Sequence, residues 1–165
     1  MEGFTNKPSL VQYESYSFLI MDAPHDHNVH LYIKEMKNYN VSNVVRACEP
    51  TYGKEQVESA GIQVHEMEFQ DGKSPDPEII DAWLDLVDKV FQDNNPKKET
   101  IAVHCVAGLG RAPVLVAIAL IENGVDPINA VEIIRKCRRG AINLRQLKYL
   151  EKYERRRKKS GCTIM

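Results

Sequence analysis

Apolar residues recur along this chain in two rhythms, and the places where one rhythm replaces the other divide it into strands and helices. Strand-like runs come first, at Phe18 to Met21, at Val41 to Ala47 and at Ile62 to Phe69. In the last of these, Ile62, Val64, Met67 and Phe69 alternate loosely with polar neighbours. Between the first two, Val29, Ile33 and Met36 fall on one helical face, which predicts a helix through His30 to Lys37 with Asp26 as its cap. The strongest helical signal follows Asp76-Pro77: Ile79, Ile80, Trp83, Leu84, Val87, Val90 and Phe91 keep one face apolar, and proline suits the first turn. This helix is expected to end near Asn94-Asn95-Pro96. Ile101 to Val103 then reads as a short buried strand, and Ala112 to Ile121 as an apolar helix stopped by Asn123-Gly124. Two further helices are expected, Pro127 to Arg138 and Asn143 to Arg157, separated by Gly140. Strands and helices alternating at these lengths predict an α/β fold with a central, largely parallel sheet flanked by helices.

Length and composition narrow the classes. A chain of 165 residues fits one domain, and we divide it into a folded domain over residues 1–154 and a polybasic tail over 155–165. The formal net charge of -1 offers no bulk attraction to nucleic acid. No run approaches the roughly 20 apolar residues that span a bilayer, and the first residues lack a basic segment followed by an apolar one, so a cytosolic location is expected. The four cysteines, Cys48, Cys105, Cys137 and Cys162, form no Cys-x-x-Cys pair, which argues against a zinc site or a secreted disulfide framework. His25, His27 and His30 straddle a helix start without a clear fourth ligand and read as a solvated helix entry. Neither a metal nor a cofactor is expected.

Candidate chemistry concentrates in His104-Cys105-Val106-Ala107-Gly108-Leu109-Gly110-Arg111, between a strand and a helix. Such a loop can curl its backbone N–H groups into a concave anion site at the helix N-terminus, where the helix dipole also favours negative charge. Gly108 and Gly110 permit the backbone angles this requires. Val106, Ala107, Gly108, Leu109 and Gly110 are then the binding residues, and Arg111 grips two phosphate oxygens with its planar fork. The same positive site favours a thiolate nucleophile at Cys105. A leaving oxygen needs a proton, and Asp71, before Gly72 on the loop after the third strand, is the candidate acid.

His104-Cys105 through Arg111 matches the H-C-x5-R signature of the protein tyrosine phosphatase superfamily, and the run His104 to Ala117 resembles the phosphatase of regenerating liver, or PRL, family. The resemblance extends over nearly the whole chain, through Val44 to Pro50, Asp71-Gly72, Arg138 to Ala141 and the last four residues. It implies a dual-specificity-phosphatase-like fold and a cysteine-based phosphatase acting through a phosphocysteine, with Cys105 as nucleophile, Arg111 as phosphate clamp and Asp71 as general acid. It also implies a reversible disulfide between Cys48 and Cys105. Two departures stand out: Met67-Glu68 occupies the usual Trp-Pro position, and Gln70 replaces the first acid of an Asp-Asp pair. Ala112 stands where most of the superfamily carries Ser or Thr, which implies slow turnover.

Substrates implied are phosphoproteins, phosphotyrosine included, with a weakly charged phospholipid left open. The absence of lysine among Val106, Ala107 and Leu109 disfavours a highly charged inositol phosphate. The family also binds cyclin-M-type magnesium transport mediators through its catalytic face, so a docking module is the alternative reading; homo-oligomerisation is left open. Arg138, Arg139 and Arg145 read as a solvated face, and Cys137 as passive. Finally, Cys162-Thr163-Ile164-Met165 is a C-a-a-X box whose last residue favours farnesyl over geranylgeranyl transfer. With Arg155 to Lys159 before it, the box predicts attachment to an anionic membrane surface, on the cytoplasmic side of the plasma membrane and early endosomes.

Overall fold

The computed structural model describes residues 4, 6–92 and 95–157. A five-stranded sheet forms from β1 (Ser9–Tyr13), β2 (Tyr16–Met21), β3 (Val41–Arg46), β4 (Gln63–Glu66) and β5 (Thr100–His104), in the order β1-β2-β5-β3-β4. Only β1 runs antiparallel, paired to β2 in a hairpin; β2 with β5, β5 with β3 and β3 with β4 are parallel. This is the expected α/β architecture. Every residue of β5 is buried because helices cover both faces of the sheet there.

Helices α1 (Val29–Asn38) and α2 (Glu55–Ser59) cover one face, packing Tyr32, Met36 and Val57 against Leu19, Met21 and Val44. On the other face lie α3 (Pro77–Val90), α4 (Arg111–Glu122), α5 (Pro127–Cys137) and α6 (Leu144–Glu151). All twelve residues of α4 are buried, and between Arg111 and Glu122 at its two ends it carries no polar stripe and is apolar all round. The Trp83 indole N–H donates to the Leu115 carbonyl at 2.7 Å, fixing α3 against α4.

Several boundaries depart from expectation for identifiable reasons. The hairpin strand β1 has no clean alternation, and α2 is too short to show a helical period. Asn28, not Asp26, precedes α1; the Asp26 carboxylate instead accepts from the Gly53 amide at 2.9 Å. Strand β4 stops at Glu66, so Met67 and Phe69 are buried by a loop that hydrogen-bonds to Arg46 and Ala47. Helix α3 ends at Val90, short of the expected Asn94, which lies outside the described residues. Helix α6 begins with a capping box between Asn143 and Gln146 and stops at Glu151, well before Arg157. The amides of Arg156 and Arg157 go instead to the Glu122 carboxylate, at 2.7 and 3.1 Å. Lys158, Lys159 and the box around Cys162 lie outside the described residues.

Candidate active site

Strand β5 runs directly into the loop from Cys105 to Gly110, and α4 begins at Arg111. The loop therefore sits at the carboxyl end of a central parallel strand, where open α/β sheets bind ligands. The carbonyls from Val106 to Leu109 are each tied to a neighbouring segment. Val106 O accepts from the Ala23 amide at 3.0 Å, and Leu109 O from the Ile142 amide at 2.8 Å. Ala107 O and Gly108 O accept from Arg138 Nη2 and Nε, at 3.2 and 2.7 Å, while Gly110 O caps the first turn of α4 through Val114. With the carbonyls held, the intervening N–H groups are left to face an anion. Gly108 has φ of +68°, and a Cβ there would meet Met21 O at 2.6 Å and Arg138 Nη2 at 2.7 Å, so glycine is required.

Arg138 overturns its reading as part of a solvated face: it is 5% exposed. Besides the two loop carbonyls it binds Asp22 Oδ1 at 2.7 Å and Ser9 Oγ and Lys7 O at 3.0 Å, joining β1, the end of β2 and the phosphate loop. Ile142 is a second unforeseen support. It holds φ of +66°, uncommon for a β-branched residue, while its amide secures Leu109 and its carbonyl accepts from Arg135 at 2.6 Å. A conformation imposed by three-dimensional contacts leaves no trace in periodicity. Arg139 and Arg145 are exposed, as expected.

Cys105 is buried, and the Ala112 amide donates to its Sγ at 3.5 Å. Ala112 brings no side-chain hydroxyl to that sulfur. Arg111, also buried, donates from Nη1 to Phe69 O at 3.1 Å and has carboxylates nearby: Glu49 at 3.6 Å and Asp71 at 3.9 Å. Asp71 lies just past the segment pinned to β3, with its side chain 81% exposed. It shares a cleft with Arg111 and Val106. That cleft is lined by Glu49, Glu68, Asp71 and Asp76, with Arg111 its one basic lining residue among the described residues. Val106, Ala107 and Leu109 expose their side chains at the rim, whereas Gly108 is buried.

Beneath the loop, His104 is fully buried and held neutral, its pKa lowered to about 3 by burial. Tyr52 Oη lies 2.9 Å from its Nε2 and Cys48 Sγ 3.9 Å from its Nδ1. Tyr52 is itself fixed by Arg46, which donates to its carbonyl at 2.6 Å, lies over its ring and pairs with Glu66. Cys48 and Cys105 follow the adjacent, in-register ends of β3 and β5, both as free thiols. Burial pushes the Cys48 thiol up to about 11.

Comparison with known proteins agrees with this geometry. A family model described as a polymorphic toxin system DSP-PTPase phosphatase matches residues 21–125. Protein tyrosine phosphatase type IVA A of Dictyostelium discoideum is 54% identical over 160 residues, covering 97% of this chain and 95% of that protein. The PRL-1 phosphatase of Drosophila melanogaster is 49% identical, over 89% of this chain and 82% of its own. A solved protein tyrosine phosphatase from Leishmania major superposes with a TM-score of 0.80 at 42% identity, covering 91% of this chain and all of that one. Kinase associated phosphatase, at 17% identity and a TM-score of 0.69, shares the fold. The chain therefore belongs to the type IVA, or PRL, protein tyrosine phosphatases, cysteine-based enzymes on a dual-specificity-phosphatase-like fold.

Proposed function

We propose that this enzyme hydrolyses phosphate monoesters of proteins through a phosphocysteine formed on Cys105, slowly and at a membrane surface. The observation that carries the reading is the loop itself, whose Val106 to Leu109 carbonyls are tied to neighbouring segments, with Cys105 and Arg111 at its two ends. A phosphate seated on the amides of Val106 to Gly110 is gripped by Arg111, which must leave Glu49 and Asp71 to do so. The Cys105 thiolate attacks phosphorus, the P–O ester bond breaks, and Asp71 gives its proton to the leaving oxygen. Water then attacks phosphorus, returns a proton to Asp71 and releases Cys105 as the P–S bond breaks. The carboxylate lining of Glu49, Glu68, Asp71 and Asp76 disfavours polyanionic lipid headgroups and supports a protein phosphoester, phosphotyrosine included.

The second step is the slow one in this reading. Ala112 gives the departing sulfur a backbone N–H but no hydroxyl, and a missing charge-assisted hydrogen bond of roughly 1.5–3 kcal/mol slows breakdown by about 10- to 150-fold. Rapid-quench kinetics with an aryl phosphate tests this. Ala112→Ser is expected to raise steady-state turnover by at least several-fold while leaving the first-step burst unchanged. Unaltered turnover with continued phosphocysteine build-up would assign the slow step elsewhere.

A second reading, regulation by docking, is favoured by the apolar rim: Val106 is 52% and Leu109 39% exposed beside the catalytic loop. By family resemblance, cyclin-M-type magnesium transport mediators are the partners. A stoichiometric burst followed by near-zero turnover supports docking, and sustained turnover supports the enzyme. In the same catalytic face, Cys48 and Cys105 form a reversible disulfide that protects the nucleophile from further oxidation. Mild peroxide is expected to link them; peptide mapping that finds only Cys105 sulfinic acid would remove this role. At the C-terminus, farnesylation of Cys162 places the protein on the cytoplasmic face of plasma and early endosomal membranes. Cys162→Ser is expected to shift it to the soluble fraction, and unchanged membrane recovery would show the box unused.

A further inference from the structure

The tail arginines are already occupied. Asp81, Asp85 and Asp88 fall at spacings of four and three along α3 and form an acidic stripe on its exposed side. Arg156 binds Asp81 with two parallel contacts, Nε to Oδ1 at 3.0 Å and Nη2 to Oδ2 at 3.1 Å. Arg157 bridges Asp85 at 2.7 Å and Asp88 at 2.8 Å, and donates to the Asp81 carbonyl at 3.1 Å. Behind them stands Glu122, 8% exposed, at the last turn of α4. A carboxylate there opposes the helix dipole. The chain satisfies it with three donors from one segment: the amides of Arg156 and Arg157 and the Tyr153 hydroxyl, while Arg155 donates to the Glu122 carbonyl.

We infer that Asp81, Asp85, Asp88 and Glu122 form an intramolecular clasp for Arg155 to Arg157, which competes with any anionic surface for the same arginines. The clasp also sets a direction. Helix α4 carries Arg111 at one end and Glu122 at the other, and twelve residues span about 18 Å. The chain therefore leaves the domain at the end of α4 remote from the catalytic loop. With the clasp shut, a tail held on a bilayer turns the catalytic face towards the aqueous side, where phosphoproteins are presented. Opening it frees two or three charges for lipid and gives the domain room to pivot. The membrane arm of this inference rests on the membrane reading above, whereas the clasp itself rests on the contacts alone.

Two measurements on the full, unlipidated chain separate these parts, using a triple variant, Asp81→Asn, Asp85→Asn and Asp88→Asn. A charge-matched control carries Glu35→Gln, Glu55→Gln and Glu58→Gln on α1 and α2. The first measurement is tryptic cleavage after Arg155 to Arg157 under native conditions. Cleavage is expected to be at least tenfold faster in the aspartate variant than in wild type or the control. The second is co-sedimentation with phosphatidylcholine vesicles containing one-fifth phosphatidylserine. Each freed arginine is worth roughly fivefold in partitioning, so with Arg156 and Arg157 both released the aspartate variant is expected to bind about 25-fold more tightly than either reference, with aryl phosphatase activity unchanged. Equal tryptic rates in all three proteins would overturn the clasp. Faster cleavage without vesicle binding by any protein would leave the clasp standing and sink the membrane reading. Equal gains in vesicle binding by variant and control would reduce the effect to net charge and overturn the competition.

Discussion

Replacing Cys105 by serine is expected to lower phosphatase activity by roughly 10^4- to 10^6-fold, the range seen when a covalent nucleophile is removed. A serine hydroxyl keeps its proton at neutral pH and cannot draw on the loop amides as a thiolate does. The fold should survive, because the one described hydrogen bond at this side chain comes from the Ala112 amide and an oxygen can still accept it. Phosphate should continue to bind, since the carbonyl ties of Val106 to Leu109 and the guanidinium of Arg111 are untouched. Intact-mass detection of phosphocysteine and a melting curve, measured together, decide the matter. Near-normal turnover by the serine variant would remove Cys105 from the chemistry.

Arg138→Met is expected to be the most damaging change outside the reacting groups. It removes one member of a buried charge pair and leaves Asp22 at 15% side-chain exposure without its guanidinium, at a cost of about 3–5 kcal/mol. For a chain of this size that corresponds to a fall in melting temperature of roughly 10–15 °C. It also releases the Ala107 and Gly108 carbonyls, so kcat/KM measured well below the melting point should fall by about 100-fold, the penalty typical of misplaced catalytic geometry. Arg138→Lys keeps a charge for Asp22 but cannot span both loop carbonyls, so it should regain stability without regaining rate. A variant that melts early yet keeps full kcat/KM would confine Arg138 to a structural role.

Which parts of the fold were legible in advance follows from where the physics is local. Helix α3 was readable because burial of one face imposes a period on Ile80, Trp83, Leu84, Val87 and Val90, and because Pro77 is tolerated only in a first turn. The central strands were readable for a different reason: a parallel strand covered on both faces must be apolar throughout, as β5 is. β1 escaped notice because one edge of a hairpin can be half buried without strict alternation, and α2 because five residues hold barely more than one turn. The end of α6 was misplaced because the basic run after it looks solvated until Glu122 is seen to need its amides.

The candidate site divides along the same line. Cys105, Arg111 and the glycines stood out in the sequence as candidates because the proposed chemistry asks one short loop for nucleophile, clamp and anion site together, which fixes their spacing. Arg138 was not, since a basic residue at a helix end ordinarily faces water, and only the approach of Asp22, more than a hundred residues earlier, makes its burial favourable. Glu49 beside Arg111 and Tyr52 against His104 are likewise products of strand order: β3 lies next to β5, and the residues that follow β3 fold over the end of β5. The central sheet and the loop that follows β5 were readable from the sequence alone, and with them the candidate reacting groups, because those depend on neighbours along the chain. The supports that hold the loop open, and the clasp that takes up the tail arginines, were decided by tertiary structure, because burial and charge pairing depend on which distant segments meet.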